Sequence, residues 1–370
     1  MFTKIVALSL AALGTASAFA QSNITLYGVI DANVSTAKIG DSRFRGVQSG
    51  GLSASRIGFR GTEDLGNGVK VLFTLEYGLN TDTGNGITGA RQSWVGLEGG
   101  FGFLGVGRQY SPGHNVSGAI DPFASSAALS PVLLTQGVNY QDTVYPVSTA
   151  ATIQGGSGGR LDNALFYRTR DFGGLRFEAM YAFGEHPDQS NALGNRRAGN
   201  FYGLGGTWRN GPLTLGVAYH HTESTRFTFI GFDGRQLDKR EWYMGGRYDF
   251  GPAELAASWQ EIRSGASFSG LGTDNWRDRI WQVSGLVPIN QAGSILAGYS
   301  RLNAEYSDED VKVWTLAYTH AMSRRTTAYA GYRHVDNNDA AGSGALPGLR
   351  IDDNFGRSSQ GLVLGVRHVF

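Results

Sequence analysis

The chain of 370 residues has no cysteine, so no disulfide contributes to its stability and zinc sites built on thiolates are excluded. Proline is scarce, at 9 residues. Beyond the first twenty positions no run of about twenty apolar residues occurs, so no membrane-spanning helix follows. Charge of one sign is also lacking. There are 32 Lys and Arg against 31 Asp and Glu, and nothing in this balance points to nucleic acid. What is abundant is glycine, at 55 residues, with 16 tyrosines and 20 phenylalanines. Glycine at that level is hard to reconcile with helices. Glycine and aromatics in short alternating runs suit a barrel of strands in a membrane.

Residues 1–20 have the form of a secretory signal peptide. Lys4 supplies a basic start, Ile5 to Leu13 an apolar centre and Ala18-Phe19-Ala20 a small-x-small cleavage site. The apolar centre is too short to span a bilayer. The mature chain is expected to start at Gln21 and to form one domain over 21–370.

Alternation starts at once. Leu26, Gly28, Ile30 and Ala32 share one face, with Tyr27, Val29 and Asp31 on the other. Arg56 and Arg60 oppose Ile57 and Phe59. After the turn Asp64 to Gly68, Val71, Phe73, Leu75, Tyr77 and Leu79 oppose Lys70, Thr74 and Glu76. This is a hairpin with Asn-Gly as its turn signal. The unit recurs to the end of the chain and gives about sixteen strands of roughly ten residues, the length a tilted strand needs to cross a bilayer. Tight turns follow every even strand. Longer polar segments follow the odd ones: Thr36 to Gly50, Thr81 to Gly89, Ser111 to Gly159, Gly184 to Gly199, Thr222 to Lys239, Arg263 to Asn275, Glu305 to Asp310 and Asp336 to Gly356. Short turns at one end and long loops at the other is the arrangement of an outer-membrane barrel. Nearly every strand pairs an apolar face with a polar one, and no segment is left to cover the apolar face. In lipid that face meets acyl chains while closure pairs every backbone group.

Ser111 to Gly159 is the longest connection. It has neither sustained alternation nor a long helical pattern, and a structureless loop of this length is expected only where it has a function. In a wide barrel it would fold inward and set the size and charge of the hole.

The order and spacing of several short motifs resemble those of the trimeric general porins of Gram-negative outer membranes. They are Thr25-Leu26-Tyr27-Gly28, Ser55 to Gly66 (SRIGFRGTEDLG), Gly107-Arg108-Gln109-Tyr110, Asn163-Ala164-Leu165-Phe166-Tyr167 and the ending Gly365 to Phe370. The resemblance runs from about Asn23 to Phe370. It implies an all-β, sixteen-stranded transmembrane antiparallel barrel, assembled as a homotrimer, with the third long loop (111–159) folded into each lumen. It implies that the terminal Phe370 is read by the barrel-insertion machinery, and that outer-membrane lipid and lipopolysaccharide surround the protein. It also implies that basic residues at Arg56, Arg91 and Arg160 form a cluster on the wall, faced by acids on the loop. Asp121 is the best loop candidate and Asp142 a poorer one.

Parity assigns the remaining lumen residues. Arg60 points inward with Arg56, and Arg91 lies opposite Trp94. Arg160 and Arg168 share a face opposite Leu161, Leu165 and Tyr167. Arg176, Asp31, Glu76 and Asp162 are also expected to face the lumen. Phe370 shares the lipid face of the last strand with Leu362, Leu364, Val366 and His368. Most aromatics point to lipid, with Tyr27, Phe166 and Tyr329 as exceptions. His220-His221 lacks the spacing of a metal site, and the glycine pattern Gly100 to Gly105 sits in a hairpin with no following helix. No cofactor, metal or catalytic residue is expected. The expected function is passive diffusion of small hydrophilic solutes and ions, with weak anion preference. The alternatives are a substrate-specific channel for a sugar or organic anion, which would want a stripe of lumen aromatics, and a barrel hydrolase, for which nothing places a nucleophile beside a base.

Overall fold

The computed structural model describes residues 23–132, 139–140, 153, 159–184, 199–223, 225–229, 232–236, 238–268, 272–305, 310–338, 341–342 and 356–370. The expected signal peptide and Asp142 lie outside them. In chain order come β1 (Asn23–Ile39), β2 (Ser42–Ser49), β3 (Arg56–Gly66), β4 (Val69–Leu79), β5 (Ile87–Gly99) and β6 (Gly102–Tyr110). A helix, α1 (Pro112–Ile120), and a two-residue strand, β7 (Asn139–Tyr140), follow. Next are β8 (Arg160–Arg168), β9 (Leu175–Ala182), β10 (Phe201–Asn210), β11 (Leu213–Thr222), β12 (Thr225–Phe229) and β13 (Phe232–Gln236). The last are β14 (Lys239–Asp249), β15 (Glu254–Phe268), β16 (Gly272–Pro288), β17 (Gly293–Asn303), β18 (Val311–Ala321), β19 (Thr326–Asn337), β20 (Ala341–Gly342) and β21 (Ser359–Val369).

Sixteen of these strands pair antiparallel in sequence order, and β21 returns to β1 from Val29↔Val369 to Ile39↔Ser359, which closes the sheet. Closure leaves the barrel no unpaired edge, as a structure surrounded by hydrocarbon requires. The outward residues are the apolar ones. Leu26 is 53% exposed, Val34 62% and Leu364 64%, while the intervening Asp31, Asn33 and Ser35 are buried. At the seam the Phe370 N–H donates to Gly28 O at 3.1 Å and the Gly28 N–H to Phe370 O at 3.1 Å. The Phe370 ring lies over Gly28 on the outer face, where any Cβ would collide with it.

Several segments expected as connections are partly strand, three of them over long stretches. β1 runs on to Ile39 and pairs with β2 from Ala32↔Ser49 to Ile39↔Ser42, inside the expected loop Thr36 to Gly50. β15 and β16 continue to Phe268 and Gly272, inside the expected loop Arg263 to Asn275. β12 and β13 form a hairpin within Thr222 to Lys239. A strand that rises beyond the bilayer meets water on its outer face, so the apolar stripe that reveals period two disappears while the ladder continues. The true interruption is residues 50–55. There the Asp31 carboxylate accepts the Gly51 N–H at 3.0 Å and the Ser53 N–H at 2.7 Å, and Tyr329 Oη donates to it at 2.5 Å.

The long loop opens with a helix that its sequence encodes. Ser111 Oγ accepts the His114 N–H at 3.1 Å, Pro112 occupies the first turn, and Val116 and Ile120 are buried one turn apart on a shared face. α1 packs on the inner wall of β10, β11 and β14. Val116 and Ile120 lie against Gly205, Gly216 and Gly245, whose missing side chains provide the room. The loop then crosses the lumen. Phe123 and Pro131 meet Gly298 of β17, and Leu129 meets Gly331 of β19.

Candidate pore-lining site

On the part of the wall that precedes α1's docking strands, β3, β4, β5 and β8 bring charged side chains together. Glu76 on β4 is buried, with its side chain 5% exposed. Its carboxylate accepts from Arg91 Nε at 2.8 Å and from Tyr27 Oη at 3.1 Å, and Arg56 Nε lies at 3.5 Å. Arg91 also donates from Nη2 to Tyr110 Oη at 2.9 Å. Arg160 sits over the Tyr110 ring at 5.9 Å from its centroid. The ring of His114, from α1, also stacks on Tyr110, with centroids 4.3 Å apart and the planes nearly parallel at 7°. Three guanidiniums thus share a short stretch of wall with one carboxylate. A charge-assisted hydrogen bond to Glu76 holds Arg91 in place, and Arg56 pairs with the same carboxylate at 3.5 Å.

Two β-bulges produce this convergence, and neither was legible from parity. Glu76 pairs with Gln92 and Tyr77 with Ala90, so Arg91 is an extra residue on β5 and is turned toward Glu76. Trp94, expected on the lipid face, is inward: it pairs with Thr74 and meets Phe103 edge-on at 5.2 Å. The premise for Arg91 was therefore wrong although its partner is a lumen residue. On β8, Asp162 and Asn163 together oppose Arg108, with Asn163 at φ 52°. The shift moves Leu161 into the inner cluster of Phe103, Phe166 and Phe201, so Arg160 and Arg168 do not share a face by simple alternation. Asp162 is exposed and pairs with Arg108 at 2.6 Å, not with the arginine cluster.

Asp121 is a correction. It was expected to face the arginines from the loop. It is instead 4% exposed and caps the C-terminus of α1. Its carboxylate accepts the N–H groups of Phe123 and Ser125, each at 3.1 Å, Ser130 Oγ at 2.7 Å and Gln282 Nε2 at 3.1 Å. Burial pushes its carboxyl upward against these four hydrogen bonds, which favour the charged form. Its charge is spent on folding the loop and fixing it to β16. Asp31 does point inward, but it too is buried and holds the 50–55 interruption.

The other expected lumen residues form a second group. Arg60 lies over the Tyr27 ring at 5.2 Å. Arg168 lies over the Phe103 ring at 5.2 Å and 3.9 Å from Glu98, and Arg176 is 3.9 Å from Asp171. Arg168, Arg176 and Arg209 surround Glu178 in a cavity of about 220 Å³ beside α1, where Asn115 donates to Glu178 at 2.9 Å. Inward aromatics are more numerous than expected. Trp94, Phe103, Phe166 and Phe201 pack against one another with Met180, and the three phenylalanines are at most 4% exposed. They form a sealed cluster, not a stripe along which a solute slides.

Tyr110, His114 and His220 were missed as loop-positioning residues. His220 accepts the Gly113 N–H on Nε2 at 3.0 Å and so pins the start of α1 to β11. The signal available was Gly107 to Tyr110 leading directly into Ser111-Pro112, a helix start. Burial first, then the charges of Arg160 and Arg91, lower the His114 pKa to about 4, so the ring is neutral at pH 7.

Comparison with known proteins follows this geometry. A sequence-family model described as Gram-negative porin matches residues 7–340. The chain is 30% identical over 382 residues to outer membrane porin protein 32 of Delftia acidovorans, covering 100% of both chains. It is 28% identical to an outer membrane porin protein of Bordetella pertussis, over 91% of this chain and 95% of that one. Among solved structures it is similar to an anion-selective porin from Comamonas acidovorans, with a TM-score of 0.78 and 26% identity over 94% of this chain and 100% of that one.

Proposed function

The chain belongs to the Gram-negative porin family, and from that footing we propose that its channel favours small anions, with Arg56, Arg91 and Arg160 as the constriction that selects them. The protein is an outer-membrane porin, a water-filled barrel for passive diffusion, and not an enzyme. The observation that carries the proposal is the local charge imbalance. Glu76 is the carboxylate hydrogen-bonded into the arginine cluster, while Asp121, the loop acid expected to face it, is buried elsewhere. At an effective dielectric of about 20, a unit charge about 4 Å from a passing ion is worth on the order of 4 kcal/mol before screening. A low-dielectric wall focuses that field. The similarity to an anion-selective porin supports the sign. Arg60 continues the positive wall toward the short-turn end, while Arg168 and Arg176 have Glu98, Asp171 and Glu178 beside them.

The experiment is the zero-current potential across a bilayer under a tenfold KCl gradient. Wild type is expected to be anion-selective and Arg56→Ser with Arg91→Ser to lose most of that preference. A cation-selective wild type would refute the proposal, and an unchanged potential in the double variant would remove these arginines from the constriction.

We further propose a homotrimer in which the outer faces of β1 and β21 meet neighbouring subunits. Leu26, Ile30, Leu362, Leu364 and Val366 give those strands a continuous exposed apolar surface. Lipid and lipopolysaccharide cover the remaining outer face, small hydrophilic solutes and ions cross the lumen, and the barrel-insertion machinery reads Phe370. Native mass measurement in mild detergent is expected to give three chains; a monomer alone would contradict the assembly.

A further inference from the structure

Charged groups on the inner wall are mostly compensated. Glu261 takes Arg263 at 2.6 Å and Arg279 at 3.2 Å, and Asp310 takes Arg301 at 2.6 Å. Arg333, on β19, is different. It is 1% exposed and is the only arginine in the buried class among the described residues. No ion pair involves it among those residues. Nη1 donates to the carbonyls of Ala127 and Ala128 in the loop. Nε and Nη2 are sealed from solvent and have no hydrogen-bond partner.

Its surroundings sharpen the problem. Thr315 is the direct cross-strand partner of Arg333 on β18, and its Oγ1 is also sealed and without a partner. On either side along the ladder stand Val313↔Val335 and Ala317↔Gly331. Val132 packs with Val313 and Val335, and Leu129 with Ala317 and Val363. A full positive charge is therefore enclosed between two apolar clusters, with two neutral carbonyls as its acceptors. An uncompensated buried charge is far more costly than a buried neutral polar group. A water molecule would satisfy donors but would leave the charge unpaired. An anion would do both, and the near-complete closure by residues 127–132 restricts it to a small one.

We propose that Arg333 Nε and Nη2, with Thr315 Oγ1, hold a small monovalent anion of halide size between β18, β19 and the long loop. The guanidinium so neutralised keeps Nη1 on the Ala127 and Ala128 carbonyls, which fixes the far end of the loop. The site is separate from the arginine cluster around Glu76 and does not depend on the sign of pore selectivity.

The test is to refold the full chain with bromide as the sole halide, crystallise it and collect data at the bromine absorption edge. The expected result is an anomalous peak beside the Arg333 guanidinium, lost in Arg333→Met and kept in Arg56→Ser with Arg91→Ser. A wild-type site without anomalous signal would overturn the proposal in favour of water. A peak that persists in Arg333→Met would also overturn it. The wild-type result stands alone if Arg333→Met fails to assemble.

Discussion

Where the loop lands on β10, β11, β14, β17 and β19, the positions that receive its side chains include Gly205, Gly216, Gly245, Gly298 and Gly331; on β3, β4, β5 and β8, arginines gather around one glutamate. A Cβ on Gly216 would lie 2.7 Å from Val116 Cγ1, and one on Gly298 would lie 2.9 Å from both Phe123 and Pro131. One wall is shaped to receive the loop by close packing. The other is left uncovered and charged. The loop follows the same division. Among the described residues, its apolar side chains go to the glycine wall, its buried acid is held by Gln282 on the neighbouring β16, and His114 at its start reaches the arginine wall through Tyr110. Under the proposed function, constriction size and constriction charge are set by different parts of the barrel.

The comparison breaks most severely if the glycine wall is filled. Gly216→Val and Gly331→Val each force a side chain into loop residues, and overpacking of this kind costs about 1–3 kcal/mol per site. The double variant is expected to displace the loop, raise single-channel conductance and lower the thermal unfolding temperature. Gly206→Val is the matched control, since its nearest neighbours are 3.5 Å away in Phe177. Equal behaviour of the control and the double variant would show that the glycines are not there for the loop.

A smaller effect is expected from acid at His114, where the start of the loop touches the arginine wall. His114 has its pKa lowered from an ordinary 6.5 to about 4 by burial and by Arg160 and Arg91. An undocked loop takes up the proton first as pH falls, so the docked state keeps its full stability above about 6.5 and loses it as pH falls through about 4. Channel recordings from pH 7 to 3.5 are expected to show loop-dependent fluctuations only in that lower window. His114→Gln is expected to remove the window; persistence of the same pH dependence would assign it to another group.

Sixteen strands, their order and the alternation of short and long connections were legible because one face of each strand must be apolar in lipid. β2, β12, β13 and the outer parts of β15 and β16 were not, because strands with water on both sides carry no such stripe. Parity does apply to Glu76 and Arg56, whose β3–β4 ladder has no register shift between them. Simple parity does not apply to Arg91, Trp94, Asp162 and Arg160, because a single bulged residue reverses it, although Arg91 and Arg160 do lie in the cluster around Tyr110. Asp121 could not be placed from its local sequence at all. Its fate depends on Gln282, 161 residues away, and on a wall of glycines whose purpose is visible only when the loop is docked.

The account's central claim is that the proposed constriction owes its sign to three arginines that outnumber the one buried carboxylate of Glu76, with Asp121 withdrawn from the loop's lumen side. The most direct measurement is the zero-current potential under a KCl gradient for Glu76→Gln beside Asp121→Asn. Glu76→Gln removes the negative partner of Arg56 and Arg91 and is expected to raise anion preference roughly fivefold, from about 1 kcal/mol per unit charge even at the dielectric of bulk water. Asp121→Asn keeps the shape of the loop and is expected to lower thermal stability while leaving the potential at its wild-type value. A shift in Asp121→Asn equal to that in Glu76→Gln would contradict the claim.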